Sequence, residues 1–94
     1  MAPGTVTRHD DRGRYELEID GEVVAFANFS ADPDADRITI PYIETVPQHR
    51  NKGYSSMLMD GVIDDLRARN VRVRATCSVA RAHVAANAAE LLAR

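Results

Sequence analysis

Val46-Pro47-Gln48-His49-Arg50-Asn51-Lys52-Gly53-Tyr54-Ser55-Ser56-Met57-Leu58 carries an extended apolar segment into an amphipathic helix through a short polar junction. That junction holds what an anion-binding turn needs. Gly53 permits close backbone approach or a positive φ. The first turn of the helix has N–H groups with no intrahelical partner, at the positive end of the dipole. Arg50 and Lys52 add charge, and arginine binds phosphate through two parallel bonds. An Arg and a Gly three apart also fit plain turn punctuation, so the flanking elements must decide.

Downstream, Leu58, Val62, Ile63 and Leu66 recur at helical spacing, with Asp60, Asp64, Asp65, Arg67 and Arg69 off the stripe. This predicts a helix over 53–69. Arg67 and Arg69 suit its negative end, and Asn70 can close it in the left-handed conformation. Residues 71–77 alternate as a strand, and the Ala-rich residues 80–92 form a second helix by propensity.

Upstream, Tyr15, Leu17 and Ile19 share one face of an alternating strand. Asp20-Gly21 follows, the dipeptide of a tight hairpin, and residues 22–29 return as a Val- and Phe-rich strand. Residues 1–13 admit either a frayed start or a short edge strand. The acidic residues 30–36 read as a solvated loop. Residues 38–46 have strand composition interrupted by Pro41, which cannot donate to a ladder. That strand is therefore an edge strand or bulged near Pro41, and a break there leaves backbone groups for a ligand.

The order is strand, hairpin strand, broken strand, helix, strand, helix. Antiparallel strands come first, and a parallel β-α-β-α unit follows by the crossover rule. The fold class is thus α+β (α/β) with a mixed sheet. In a β-α-β unit phosphates bind where the first strand's carboxyl end feeds the helix, and residues 50–55 sit there.

The bulk numbers narrow the field. A chain of 94 residues is expected as one domain, 1–94, with a modest core. A net charge of −2 argues against general polyanion or nucleic-acid binding. No stretch approaches a membrane span, and Met1-Ala2-Pro3-Gly4 opens no signal peptide. One cysteine cannot form an internal disulfide, which fits a reducing, cytoplasmic setting. His9, His49, His83 and Cys77 show no metal-ligand spacing, and no dinucleotide or P-loop glycine motif occurs.

Arg50-x-x-Gly53-x-Ser55 resembles the pyrophosphate-binding segment of the GNAT (GCN5-related) N-acetyltransferases, written Q/R-x-x-G-x-G/A. Residues from about 14 to 81 look like the smallest members of that superfamily. The likeness includes Tyr15-Glu16-Leu17-Glu18-Ile19-Asp20-Gly21-Glu22-Val23, Glu44, Pro47, Asp64-Asp65-Leu66-Arg67-Ala68-Arg69 and Cys77, which closes the last strand. The resemblance implies acetyl-CoA as co-substrate, its pyrophosphate on Arg50, Asn51, Lys52, Gly53, Tyr54, Ser55 and Ser56. It also implies pantetheine along the broken strand and Cys77 near the thioester. Three departures stand out. Asn51 and Ser55 replace the usual small residues, Cys77-Ser78-Val79 replaces Cys-Pro-aromatic, and Asn87-Ala88-Ala89-Glu90 does not match a later His-Pro-Glu-Tyr run.

Acetyl transfer to an amine needs a neutral amine, a stabilised oxyanion and a proton for the leaving thiolate. By the resemblance Glu44 is placed as the base. The usual tyrosine acid of the last helix has no counterpart, since the tyrosines are Tyr15, Tyr42 and Tyr54. Cys77 fills that place as proton donor or acetyl carrier, or is an inert buried thiol. Tyr42 and Tyr54 read as packing aromatics, with Tyr54 also placed to cover the cofactor, and His83 as a surface residue. Arg67, Arg69, Arg72 and Arg74 read as a solvated basic face, with an acidic partner or the 3′-phosphate of CoA as the other option.

The leading expectation is an acetyl-CoA-dependent N-acetyltransferase. Its acceptor is an amine, left open between a small molecule and a protein or peptide lysine. A non-catalytic acyl-CoA binding or sensing module is the alternative, and a small interaction domain keeping the scaffold without ligand is a third. Monomer and homodimer both stay open.

Overall fold

Alternating apolar residues build a five-stranded sheet whose strands lie in chain order. The computed structural model describes residues 4–32, 36–49 and 52–92. The strands are β1 (Thr5–His9), β2 (Arg14–Ile19), β3 (Glu22–Ala31), β4 (Arg37–Thr45) and β5 (Arg72–Ala75), with helices α1 (Tyr54–Arg69) and α2 (Ser78–Asn87). The first three pairings are antiparallel, and β4 pairs with β5 in parallel through the α1 crossover. The expected mixed sheet and β-α-β-α unit are both present. The N-terminal segment takes the edge-strand option as β1. Asp20 and Gly21 turn the β2–β3 hairpin with φ of 54° and 80°.

Both helices pack on one face of the sheet, against Tyr15, Leu17, Ala27, Ile38 and Ile40. The stripe read from the sequence is the buried one: Leu58, Val62, Ile63 and Leu66, joined by Met59. Gly61 allows α1 to approach β1, since a Cβ there would lie 2.3 Å from Val6 Cγ2. Tyr15 donates from its buried hydroxyl to Asp65 Oδ2 at 2.6 Å, pinning sheet to helix. Asn70 closes α1 with φ 58°, as its side chain suggests. No described helix is long and apolar enough to cross a membrane.

The other face carries a row of cross-strand neighbours, Glu16, Phe26 and Glu44. Glu16 is 1% exposed. Arg14 and Arg12 reach its carboxylate at 2.5 and 3.4 Å. His9 Nε2 lies 3.0 Å away, without hydrogen-bond geometry. Arg14 also stacks over the Phe26 ring.

The third strand runs on through Ser30 and Ala31, which read as loop, and β4 spans Arg37–Thr45 rather than 38–46; two further differences bear on the site. Strand β5 stops at Ala75 rather than at residue 77, because its ladder partner ends at Ile40. The second helix starts at Ser78 and breaks at Ala88 (φ −154°, ψ 52°) before a 3-10 turn at Ala89–Leu91. Alanine propensity alone extends the helix through this point. Burying Leu91 and Ala88 against the core overrides it.

Candidate active site

Pro41 sets the site. Asn28 faces Tyr42 while Ser30 faces Thr39, so β4 carries one extra residue opposite Phe29, a bulge at Ile40–Pro41. The parallel ladder ends at the Ile40–Ala75 pair. The Thr76 and Cys77 N–H groups both donate to the Ile40 carbonyl, at 3.2 and 3.4 Å, and close that end. Beyond it β4 runs on to Thr45 with no β5 partner, so the two strands part.

The bulge also shifts the alternation. Ile38 and Ile40 are buried, and the next residue of β4 to pack on the core is Ile43, three positions on. The Val46 N–H donates to Val24 of β3 at 2.9 Å. By the two-residue period, Tyr42 and Glu44 also turn their backbone groups toward β3, and Ile43 and Thr45 turn theirs into the gap. A ladder-like row of backbone donors and acceptors therefore lines one side of the opening.

The other end of the gap feeds α1. Gly53 caps this helix with φ 76° and ψ 15° and supplies no side-chain bond, and the first turn holds no acid. A Cβ at Gly53 would meet nothing within 4 Å, so the space over the turn is open. Among the described residues the first-turn N–H groups of Tyr54, Ser55 and Ser56 thus have no side-chain acceptor, which is the state an incoming oxyanion requires. Lys52 is exposed beside them, and Ser55 is half-buried. Arg50 and Asn51 lie outside the described residues.

The junction is anchored by residues that sequence reasoning left unassigned. His49 Nε2 lies 2.6 Å from Glu22 of the β2–β3 hairpin, and its ring packs 6.0 Å from that of Tyr54. Its Nδ1 is buried with no partner among the described residues. Tyr54 packs at the edge of the core, as expected. Between the helices runs a groove of about 530 Å³ lined by Ser55, Ser56, Met59, Ser78, Val79 and His83. His83 Nε2 meets Asp60 Oδ1 at 2.8 Å across it, so this histidine ties α1 to α2.

Cys77 caps α2, half-buried at the margin of the core, beside the closed end of the gap. Glu44 is half-buried on the helix-free face and accepts a hydrogen bond from the Tyr42 hydroxyl. The two candidates are not brought together. Four residues of strand separate Glu44 from Ile40, roughly 13 Å at the usual rise. Tyr42, read as a packing aromatic, is instead 45% exposed, with its ring 6.3 Å from Phe26. Its pairing with Glu44 follows from the i, i+2 spacing on one strand face. The basic run of Arg67 to Arg74 is dispersed: Arg67 pairs with Glu90, Arg69 with Asp65, and Arg72 bonds the Glu90 carbonyl.

A family model described as GCN5-related N-acetyl-transferase matches residues 14–91. The chain belongs to the GCN5-related N-acetyltransferase family. Solved structures share the fold of this GCN5-related chain. The ribosomal-protein-S18-alanine N-acetyltransferase of Escherichia coli superposes with a TM-score of 0.63 at 23% identity, over 86% of this chain and 54% of its own. A GCN5-like putative N-acetyltransferase of Staphylococcus aureus gives 0.63 at 15% identity, over 90% of this chain and 81% of its own. The N-acetylglutamate synthase of Neisseria gonorrhoeae, complexed with coenzyme A and N-acetyl-glutamate, gives 0.56 at 23% identity. That match covers 77% of this chain and 19% of the synthase. Among curated proteins no match was found.

Proposed function

We propose that this GCN5-related chain transfers an acetyl group from acetyl-CoA to an amine. One observation carries the reading: the β4–β5 ladder opens at Pro41, and the opening leads to an α1 N-terminus left uncapped at Gly53. Open backbone groups suit an amide-bearing arm, and free N–H groups beside a cation suit a pyrophosphate. Bound acetyl-CoA supplies the activated acetyl thioester. The chain's own groups do the rest. Gly53, Tyr54, Ser55 and Ser56 hold the phosphates with Lys52, Arg50 and Asn51, and the Ile43 and Thr45 backbone positions the arm. Cys77, at the closed end, donates the proton a departing thiolate needs. Glu44 takes the proton from the amine through Tyr42, which bridges part of the distance to Ile40.

The experiment incubates the protein with acetyl-CoA and a panel of small amines and lysine peptides, then looks for acetylated product by mass spectrometry. Acetylated product in any arm, absent without protein, supports transfer. Coenzyme A binding by calorimetry with no product in any arm supports an acyl-CoA sensing module instead. The separation of Glu44 from Cys77 and the lack of a tyrosine in α2 favour that second reading.

A further inference from the structure

Most of the described arginines have a negatively charged partner. Among the described residues, Arg8, Arg12, Arg14, Arg37, Arg67 and Arg69 each meet a carboxylate, and Arg72 meets the Glu90 carbonyl. Arg74 and Arg81 are the exceptions, with no side-chain partner among the described residues. Both line one cavity of about 510 Å³, together with the hydroxyl residues Thr76 and Ser78 and the apolar Ala75 and Leu92. In a chain where acids outnumber lysine and arginine by 14 to 12, two guanidiniums in one concavity with no carboxylate partner among the described residues mark a place suited to a negative charge.

The position of the cavity says which negative charge. Arg74 stands on β5 opposite Thr39, and Ser78 and Arg81 are three apart at the start of α2, on one side of the helix. Cys77 lies between Thr76 and Ser78, at the closed end of the gap. Ser78 lines both this cavity and the α1–α2 groove, so the start of α2 is a wall between them. The groove begins at Ser55 and Ser56, on the side of the phosphate turn, and the cavity lies across the wall.

We infer that this cavity binds a carboxylate or phosphate of the acceptor, so that the substrate is an amine carrying its own negative charge. The inference rests on the acetyl-transfer reading for the identity of the ligand as acceptor. The anion site itself does not depend on turnover.

The test follows amide signals of Thr76, Ser78 and Arg81 in the isotope-labelled full chain. O-phosphoethanolamine, β-alanine and ethanolamine are titrated with the protein free, saturated with CoA, or saturated with dephospho-CoA. The two anionic amines are expected to move these signals and ethanolamine to leave them unchanged. The Arg74→Gln/Arg81→Gln double variant is expected to weaken anionic binding by about 10- to 100-fold. Its response to CoA at Gly53, Ser55 and Ser56 should be retained. Equal shifts from ethanolamine, or undiminished binding in the double variant, overturn the site. Displacement of the probes by CoA but not by dephospho-CoA reassigns the cavity to the 3′-phosphate and overturns the acceptor assignment. A protein whose α1 signals ignore CoA sinks the acetyl-transfer reading, and the titration of the free protein still decides the anion site.

Discussion

The β1–β2–β3 half of the sheet and the β4–α1–β5–α2 half are built to different ends. In the first half β1 and β2 are paired from end to end, with one register shift at Leu17/Glu18, and buried charge is satisfied several times over. Glu16, for example, has two arginines and a histidine around it. In the second half the ladder stops after Ile40, α1 begins without a side-chain cap, and Arg74 and Arg81 have no side-chain partner among the described residues. Backbone and charge that one half satisfies internally, the other leaves open. The difference teaches where stability and ligand chemistry are each drawn from. Mutations in the two halves should therefore separate into those that cost folding and those that cost binding or turnover.

The sharpest way to break this division is Cys77→Ser. A general acid is worth about 10²–10⁴ in rate, so turnover should fall by at least the lower figure. Coenzyme A affinity and the denaturation midpoint should change little. Unchanged turnover removes Cys77 from the chemistry.

Next in size is Glu16→Gln, on the opposite side of the comparison. Breaking a fully buried ion pair costs about 3–5 kcal/mol. Arg14 and His9 keep 32% and 26% side-chain exposure, so water compensates part of the loss. We expect about 2 kcal/mol of stability lost in urea denaturation, with coenzyme A affinity unaltered. A loss of affinity without a loss of stability would show that the two halves are not separable.

Gly53→Val tests the open half. Its φ of 76° is strained for a β-branched residue although the space is free, so stability should drop by about 1–2 kcal/mol. Coenzyme A binding should weaken more than this strain explains, by about tenfold or more, as the side chain covers the N–H groups. Calorimetry on the folded variant reads both.

The smallest effect is expected for Tyr15→Phe, at about 1 kcal/mol for a lost hydrogen bond. It carries a pH signature. Burial, with the Asp65 carboxylate beside it, pushes the Tyr15 phenol up. A folded-state value above the unfolded one means the contribution is complete below about pH 10. It is lost as pH rises through the folded value. Wild type should therefore lose stability on alkaline titration more steeply than Tyr15→Phe, and parallel curves would reject the coupling.

The division was only half legible in the sequence. Strand β2, the Asp20-Gly21 turn, α1 and its Asn70 close were all written in local periodicity and turn chemistry. Pro41 announced a break, and the break is there. What local patterns did not carry were consequences at a distance. The early end of β5 follows from Ile40, some 35 residues away in sequence. Tyr42 reads as a core aromatic until the bulge resets which residues face inward, and it then stands exposed against Glu44. The partners of Arg67 and Arg72 come from the 3-10 turn after α2, which alanine-rich sequence hides within a helix. That Arg74 and Arg81 lack a side-chain partner among the described residues is visible only once Arg8, Arg12, Arg14, Arg37, Arg67 and Arg69 have found their acids.

The extra residue of β4 acts on the chain as an inserted letter acts on a reading frame. With Pro41 present, the residues from Ile43 onward keep their faces because two residues, Ile40 and Pro41, are counted as one against Phe29. Substitution and deletion at Pro41 are for that reason different events. A replacement leaves the frame intact and restores one donor. A deletion removes the extra residue itself: Tyr42 then follows Ile40 directly, plain alternation keeps Ile43 inward and Glu44 outward, and what is lost is the bulge. The number of residues at this step therefore decides whether β4 bulges, and their kind decides only which side chain and which donor stand there.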